Sequence, residues 1–278
     1  MKRKFALALS LAVSVVMGFT GCGVNKDVPK IKNVSDLGGK TIAMLATGTP
    51  KDIVNVDISN NIGYKPRDVL YFNRFSDAIA ATTTGKSDAT MVSRLIAEYY
   101  VKRNNALTFI KSEKSTQEDI IMAVRSEDKE LKDNLDRAIK ILQENGTTKT
   151  LEDTWITDLP VNNEPVAKEI PKIESAKTIF VGVCGDIVPL DYIAADGRPA
   201  GYNIALLTEI SKLLNVNFEF VSLEYQARFV ALNAKKIDLI FVHRDIKGRP
   251  ANQTQRNEDW IGTIPYYKTE SSYFLVKK

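Results

Sequence analysis

The chain has 278 residues, 44% hydrophobic and 26% charged, enough for one large domain or two small lobes with real cores. Thirty-eight basic against 34 acidic residues leave a net charge of +4 spread along the chain, without the basic stripe that a nucleic-acid partner needs. Two cysteines and one histidine exclude a disulfide framework, a multi-histidine metal site and HExxH chemistry, and no GxSxG elbow is present.

The first element in chain order is "MKRKFALALSLAVSVVMGFTGCG", with a basic start, an apolar stretch from Phe5 to about Met17 and small residues before Cys22. This is the layout of an export signal, and its apolar run is short for a spanning helix. "FTGC" resembles a bacterial lipobox, which implies removal of residues 1–21 and lipidation of Cys22. Residues 22–35 are polar and read as a tether.

"TIAMLATGTPKDIV" then runs from a strand through a turn into a helix, with Thr49 suited to cap it and Pro50 suited to its first position. A helix start with free N–H groups favours an anion, but GxxxxGK[ST] and GxGxxG are both absent. "RDVLYF" reads as a strand, "FSDAIAATTTG" as a helix, and "SDATMV" as a strand entering the helix "SRLIAEYYVKRN". "ALTFIKS" and "DIIMAVRS" add strands, and Leu131, Leu135, Ala138, Ile139 and Leu142 are spaced helically before a stop at Gly146. "KTLEDTWI" is a short helix, and prolines 160, 165 and 171 mark a linker over 157–175. Alternation resumes with "TIFVGV", "YNIALLTEISKLLN", "FEFVSL", "ARFVALNAKK" and "IDLIFV". Two α/β lobes built this way offer a ligand the cleft between them, beside the strand ends.

Several stretches together resemble the polar amino acid type of ABC-transporter solute-binding protein (bacterial extracellular solute-binding family 3). They are "VGVCGDIVPLDYIAADGRPAGYNIALLTEISKLL", "KKIDLIFV", "IPYYKTESSYFLVKK", "SDLGGKTIAMLATGT", "GKSDATMVSRLIAEYY" and "ENGTTKTLEDTWI". The resemblance implies a two-lobed Venus-flytrap fold of the periplasmic-binding-protein type 2 class. It also implies a lipid-anchored, extracytoplasmic monomer that binds a small anionic or zwitterionic solute for an ABC permease, with no cofactor, metal or nucleic acid. The family's closing segment here precedes its opening one, so the order looks circularly permuted. That reading puts lobe two at 36–115 and lobe one at 116–278, joined by a single crossing near "KSEKSTQED", with Lys278 meeting Ser35 at the hinge.

Carried over residue by residue, the resemblance places a ligand carboxylate on Gly48 and Thr49, with the Thr47 hydroxyl in support, and on an arginine of lobe one. Arg256 fits that arginine best, although Arg244 and Arg249 compete for the role. The family's ammonium-binding aspartate falls on Ser93. Loss of a charge-assisted bond of about 1.5–3 kcal/mol implies a ligand without a free α-amine unless another group compensates. Asp88 and Glu98 are read as structural. Asp186, Tyr192 and Tyr225 fall on the positions of a polar loop residue and aromatic walls, and His243 ends a buried strand facing the cleft. Cys184 is read as buried and inert. Two alternatives stay open: a degenerate or sensory binding module, and a cyclohexadienyl-dehydratase-like enzyme using His243, Glu224, Asp186 or Asp245 as its acid.

Overall fold

The computed structural model describes residues 30–162, 164–165, 172–245 and 259–278. In chain order the strands and helices are β1 (Thr41–Leu45), α1 (Lys51–Ile62), β2 (Asp68–Phe72), α2 (Phe75–Thr84), β3 (Ala89–Val92), α3 (Arg94–Arg103), β4 (Leu107–Lys111) and β5 (Gln117–Arg125). Then come α4 (Lys129–Glu144), α5 (Thr147–Glu152), β6 (Thr178–Val183), β7 (Asp186–Ile187), β8 (Asp191–Ile193), β9 (Pro199–Ala200), α6 (Tyr202–Leu214) and β10 (Asn217–Ser222). The described chain closes with α7 (Ala227–Asn233), β11 (Leu239–Asp245), β12 (Trp260–Gly262), β13 (Tyr267–Glu270) and β14 (Tyr273–Lys277).

Besides a small third sheet of β7, β8 and β9, two large sheets organise most of these elements. One has the order β2-β1-β3-β14-β4, the other β10-β6-β11-β5-β12 with β13 also on β5. Both are built alike: three parallel strands, then an antiparallel strand that arrives from the other lobe, then an edge. In the first sheet the arriving strand is β14, paired on one side with β3 and on the other with β4. In the second it is β5, paired antiparallel with β11. This reciprocal exchange is the two-lobed topology of the type 2 periplasmic-binding fold.

Helical faces follow the apolar spacing. Val54, Ile58 and Ile62 lie four residues apart on α1 and are buried against Ile42, Phe274 and Val276. Leu135, Ala138, Ile139 and Leu142 form the buried stripe of α4. Gly146 breaks that helix in the left-handed conformation (φ +79°), but α5 starts at the next residue. Among the described residues, no helix is long and apolar enough to cross a membrane.

Among the described residues the chain crosses between lobes at 112–116 and again at 271–272, where one crossing was expected. β14 belongs to lobe two rather than lobe one, because its apolar residues Phe274 and Val276 complete the core that covers α1. The two crossings are bonded to each other: the Ser112 N–H donates to the Ser272 carbonyl at 3.0 Å and the Ser271 N–H to the Thr116 carbonyl at 2.9 Å. The Ser115 hydroxyl adds a bond to the Ser271 carbonyl at 2.6 Å. A paired hinge restricts twisting, so the freer rotation expected of a single connection does not follow. Nor do Lys278 and Ser35 meet at the hinge. The Lys278 N–H bonds the Ala106 carbonyl at the end of β14 opposite the hinge, whereas Ser35 lies with Lys111 and Lys114 at the hinge end.

Candidate functional site

A cavity of about 150 Å³ lies between the lobes beside the hinge. Lobe two supplies Met44, Leu45, Thr47, Phe75, Met91, Val92, Ser93 and Ile96. Lobe one supplies Glu118, Ile187, Tyr225 and His243, and the second crossing supplies Ser271 and Ser272. The walls are mostly apolar and the polar groups are few, which is the constitution of a small-molecule site.

The cavity thus brings together Thr47, Ser93, Tyr225 and His243 from among the sequence-derived candidates. Ser93 starts α3 without capping it, and among the described residues its buried Oγ has no hydrogen-bond partner. The Thr47 hydroxyl donates to the Thr49 hydroxyl at 3.0 Å. Thr49 and Gly48 are not in the wall. Thr49 does not cap α1, because the helix starts one residue later than expected, at Lys51, with Pro50 as its boundary residue. Arg256, Arg249 and Cys22 lie outside the described residues, and of Arg244 only the backbone is described.

Asp186 and Tyr192 serve the contact between lobes instead of lining the cavity. The Asp186 carboxylate accepts the Ser76 N–H at 3.3 Å and sits 3.7 Å from Arg74 Nε, so a lobe-one anion meets the first turn of α2 on lobe two. Glu224 is similarly engaged on the rim, accepting from Asn73 Nδ2 at 3.2 Å. Tyr192 points at the linker: its hydroxyl donates to Glu164 Oε2 at 2.7 Å, while Tyr99 of α3 donates to Glu164 Oε1 at 2.9 Å. Arg103 completes the cluster, 3.3 Å from Glu164 and donating to the Pro160 carbonyl at 2.6 Å. Burial and the Glu164 charge both hold the Tyr99 and Tyr192 phenols far above the usual range.

One linker carboxylate therefore ties α3 of lobe two to β8 of lobe one. Glu164→Ala removes three hydrogen bonds to a charged acceptor, from Tyr99, Tyr192 and Arg103, about 2 kcal/mol or more in favour of the open form. Small-angle scattering is expected to show a larger radius of gyration for this variant; a superimposable profile would refute the tie.

Beneath the cavity, lobe one holds a buried polar network that sequence reasoning missed. Arg228 of α7 is fully buried, with Nη1 donating to the Phe241 carbonyl at 3.1 Å, Nε to the Tyr225 carbonyl at 3.3 Å, and Nη2 without a partner among the described residues. Its guanidinium carbon lies 4.3 Å from the centre of the Tyr225 ring, so the aromatic wall is backed by a cation. Asp191 accepts the Cys184 N–H at 3.1 Å, the Gly185 N–H at 3.4 Å and Asn203 Nδ2 at 3.2 Å. Tyr266 donates to Asn203 Oδ1 at 2.8 Å. Burial pushes the Asp191 carboxyl up to about 6, against the opposing pull of Arg228 and these donors. Burial likewise pushes the Cys184 thiol up to about 12, which leaves it an unreactive neighbour. Gly201 permits this packing: its φ is +109°, and a Cβ there would fall 2.4 Å from the Leu190 carbonyl oxygen.

Asp88 and Glu98 are tied up structurally. Asp88 accepts the Thr41 N–H at 2.8 Å and pairs with Arg67 at 3.5 Å, and Glu98 pairs with Arg94 at 3.3 Å. Glu118, which the sequence did not single out, lines the cavity 3.5 Å from His243 Nδ1.

Two α/β lobes, a paired hinge and an apolar cavity between them define an architecture of the flytrap class. Residues 179–278 match the profile of bacterial extracellular solute-binding proteins, family 3. The chain is 29% identical over 136 residues to the arginine-binding extracellular protein ArtP of Bacillus subtilis (strain 168), covering 48% of this chain and 51% of the relative. It is 27% identical over 134 residues to the L-cystine-binding protein TcyJ of the same organism, with 48% and 49% covered. The chain thus spans about half the length of these curated relatives. Among solved structures, it is similar to the GluR0 ligand-binding core in complex with L-glutamate at a TM-score of 0.43 and 10% identity, covering 86% of this chain and 85% of that one. It is also similar to the amino acid ABC transporter substrate-binding protein AbpA from Streptococcus pneumoniae Canada MDR_19A bound to L-arginine, at 0.42 and 13%, covering 86% and 82%.

Proposed function

We propose that this protein is an extracytoplasmic solute-binding protein that captures a small amino-acid-like molecule between its lobes and presents it to an ABC permease. The observation that carries the proposal is the cavity itself, lined by both lobes beside a hydrogen-bonded hinge and mostly apolar. Contacts that exist only when both lobes meet the ligand stabilise the closed form, and no bond needs to be made or broken. Of the four groups considered as a catalytic acid, His243 is the one whose side chain is described in the cavity wall, and its neighbour is a carboxylate rather than a donor chain. Binding is therefore favoured over a dehydratase activity.

A circularly permuted order is part of this reading. Its support is that the last described strand, β14, shares a sheet with β1 and packs in one cluster with Leu37, just before β1. Lipid attachment at Cys22 is also part of it and rests on "FTGC". Incorporation of labelled palmitate that Cys22→Ala abolishes is the expected result; equal labelling of both proteins would refute it.

Thermal unfolding against a panel of amino acids, organic acids and sugars tests the binding reading. A ligand at a hundred times its Kd stabilises the folded form by about 2.7 kcal/mol, so at least one amino acid is expected to raise the melting temperature clearly. A panel without any shift would favour the degenerate or sensory module.

A further inference from the structure

Among the described residues, Glu118 is the single carboxylate in the cavity wall, and His243 is its ion-pair neighbour at 3.5 Å. Its side chain keeps 17% of its exposure and that of His243 18%, so both are largely withdrawn from water. A carboxylate in such a place is stabilised by a cation brought to it, because burial weakens its hydration while strengthening any charge pairing. The aromatic wall does not compete for that cation. Tyr225 has the Arg228 guanidinium against its ring, which offsets the negative face that would otherwise attract one.

A second group points to the other end of the ligand. Ser93 is 8% exposed, lines the same cavity, and has an Oγ with no partner among the described residues. It also stands at the start of α3, a ten-residue helix whose first-turn N–H groups have no acceptor within the helix and carry partial positive charge. An unpartnered hydroxyl donor beside a helix start suits an anionic oxygen.

We infer that the cleft takes a small zwitterion with its protonated amine on the Glu118 carboxylate and its carboxylate at Ser93 and the first turn of α3. The inference rests on the proposal that the cleft is a solute site. It makes Glu118 the group that compensates for the neutral Ser93, so a free α-amine is required rather than avoided. It also assigns the carboxylate, not the amine, to Ser93.

The test compares amine with hydroxyl. The tightest binder among the twenty L-amino acids, found by thermal shift, is measured by calorimetry beside the 2-hydroxy acid with the same side chain. With the purified parent protein, the amino acid is expected to bind at least about 100-fold more tightly than the hydroxy acid. Glu118→Gln is expected to weaken the amino acid by about 30-fold or more and to change the hydroxy acid by less than about threefold. Ser93→Ala is expected to weaken both by a similar factor. Should the glutamine variant not fold, Glu118→Asp keeps the charge and is expected to retain the preference for the amine. Amino acid binding unchanged in Glu118→Gln, or equal binding of amine and hydroxyl by the parent, would overturn the inference and leave the solute-binding proposal standing. A parent that binds no amino acid but binds another solute would overturn the inference alone, and one that binds nothing in the wider panel would remove both.

Discussion

Replacing Arg125 with alanine is expected to remove about 3–5 kcal/mol of folding stability, the usual consequence of stripping one partner from a buried ion cluster. Arg125 stands at the end of β5 and is 8% exposed. Its guanidinium donates to the Ile237 carbonyl at 2.6 Å and to Asp238 Oδ1 at 2.7 Å, and lies 2.6 Å from Asp128, the residue that precedes α4. One side chain thus fastens the arriving strand of lobe one to the turn before β11 and to the start of α4. Alanine leaves two carboxylates and a carbonyl without their cation. In a chain of this size the loss corresponds to a fall of roughly 10 °C in melting temperature. A fall of only a degree or two would show that water reaches the cluster and that the three elements are held by their apolar contacts.

The second large effect is a dependence of stability on pH centred on Asp191. Burial raises its folded-state pKa to about 6 from an ordinary value of 3.8. Between those values the folded chain holds a proton that the unfolded chain has released. The associated stability is fully present below about pH 4 and is lost as pH rises through about 6, a total of about 3 kcal/mol. Asp191→Asn cannot titrate and keeps the shape. The stability of the parent relative to this variant is therefore expected to fall by that amount between about pH 3.5 and 7 in denaturant titrations. A flat difference would mean that Arg228 and the three donors keep Asp191 ionised throughout.

Much of the fold is legible in the sequence because alternation and helical spacing report burial directly. "TIFVGV" and "IDLIFV" are apolar on both faces, as central parallel strands are, and the α4 stripe repeats every three to four residues. What the pattern does not carry is the identity of the partner strand. "YFLVK" reads as buried wherever it lies, and only the matching apolar surface of β3, β4 and α1 decides that it joins lobe two. The site divides in the same way. Ser93 and Tyr225 are reached by resemblance because each stands at a strand end that opens onto the cleft. Arg228 is hidden by its own chemistry, since an arginine in "ARFVALNAKK" reads as solvated until the Tyr225 and Phe241 carbonyls are seen to receive it. Glu118 is lost among polar neighbours in "STQEDIIMAV", where the residue that faces inward depends on the register with β11. Glu164 lies in a proline-marked linker, which says nothing of the two tyrosines that converge on it.

The exchange of strands between the sheets also sets a timetable for synthesis. In the first sheet β4 pairs with β14 and with no other described strand, and β14 follows every other described strand in the chain. A growing chain can pair β1, β2 and β3 early, but β4 has no neighbour until everything that builds the other lobe has already appeared. Contacts so distant along the chain form slowly. The β4 edge of the first sheet thus stays unpaired until β14 is available to it.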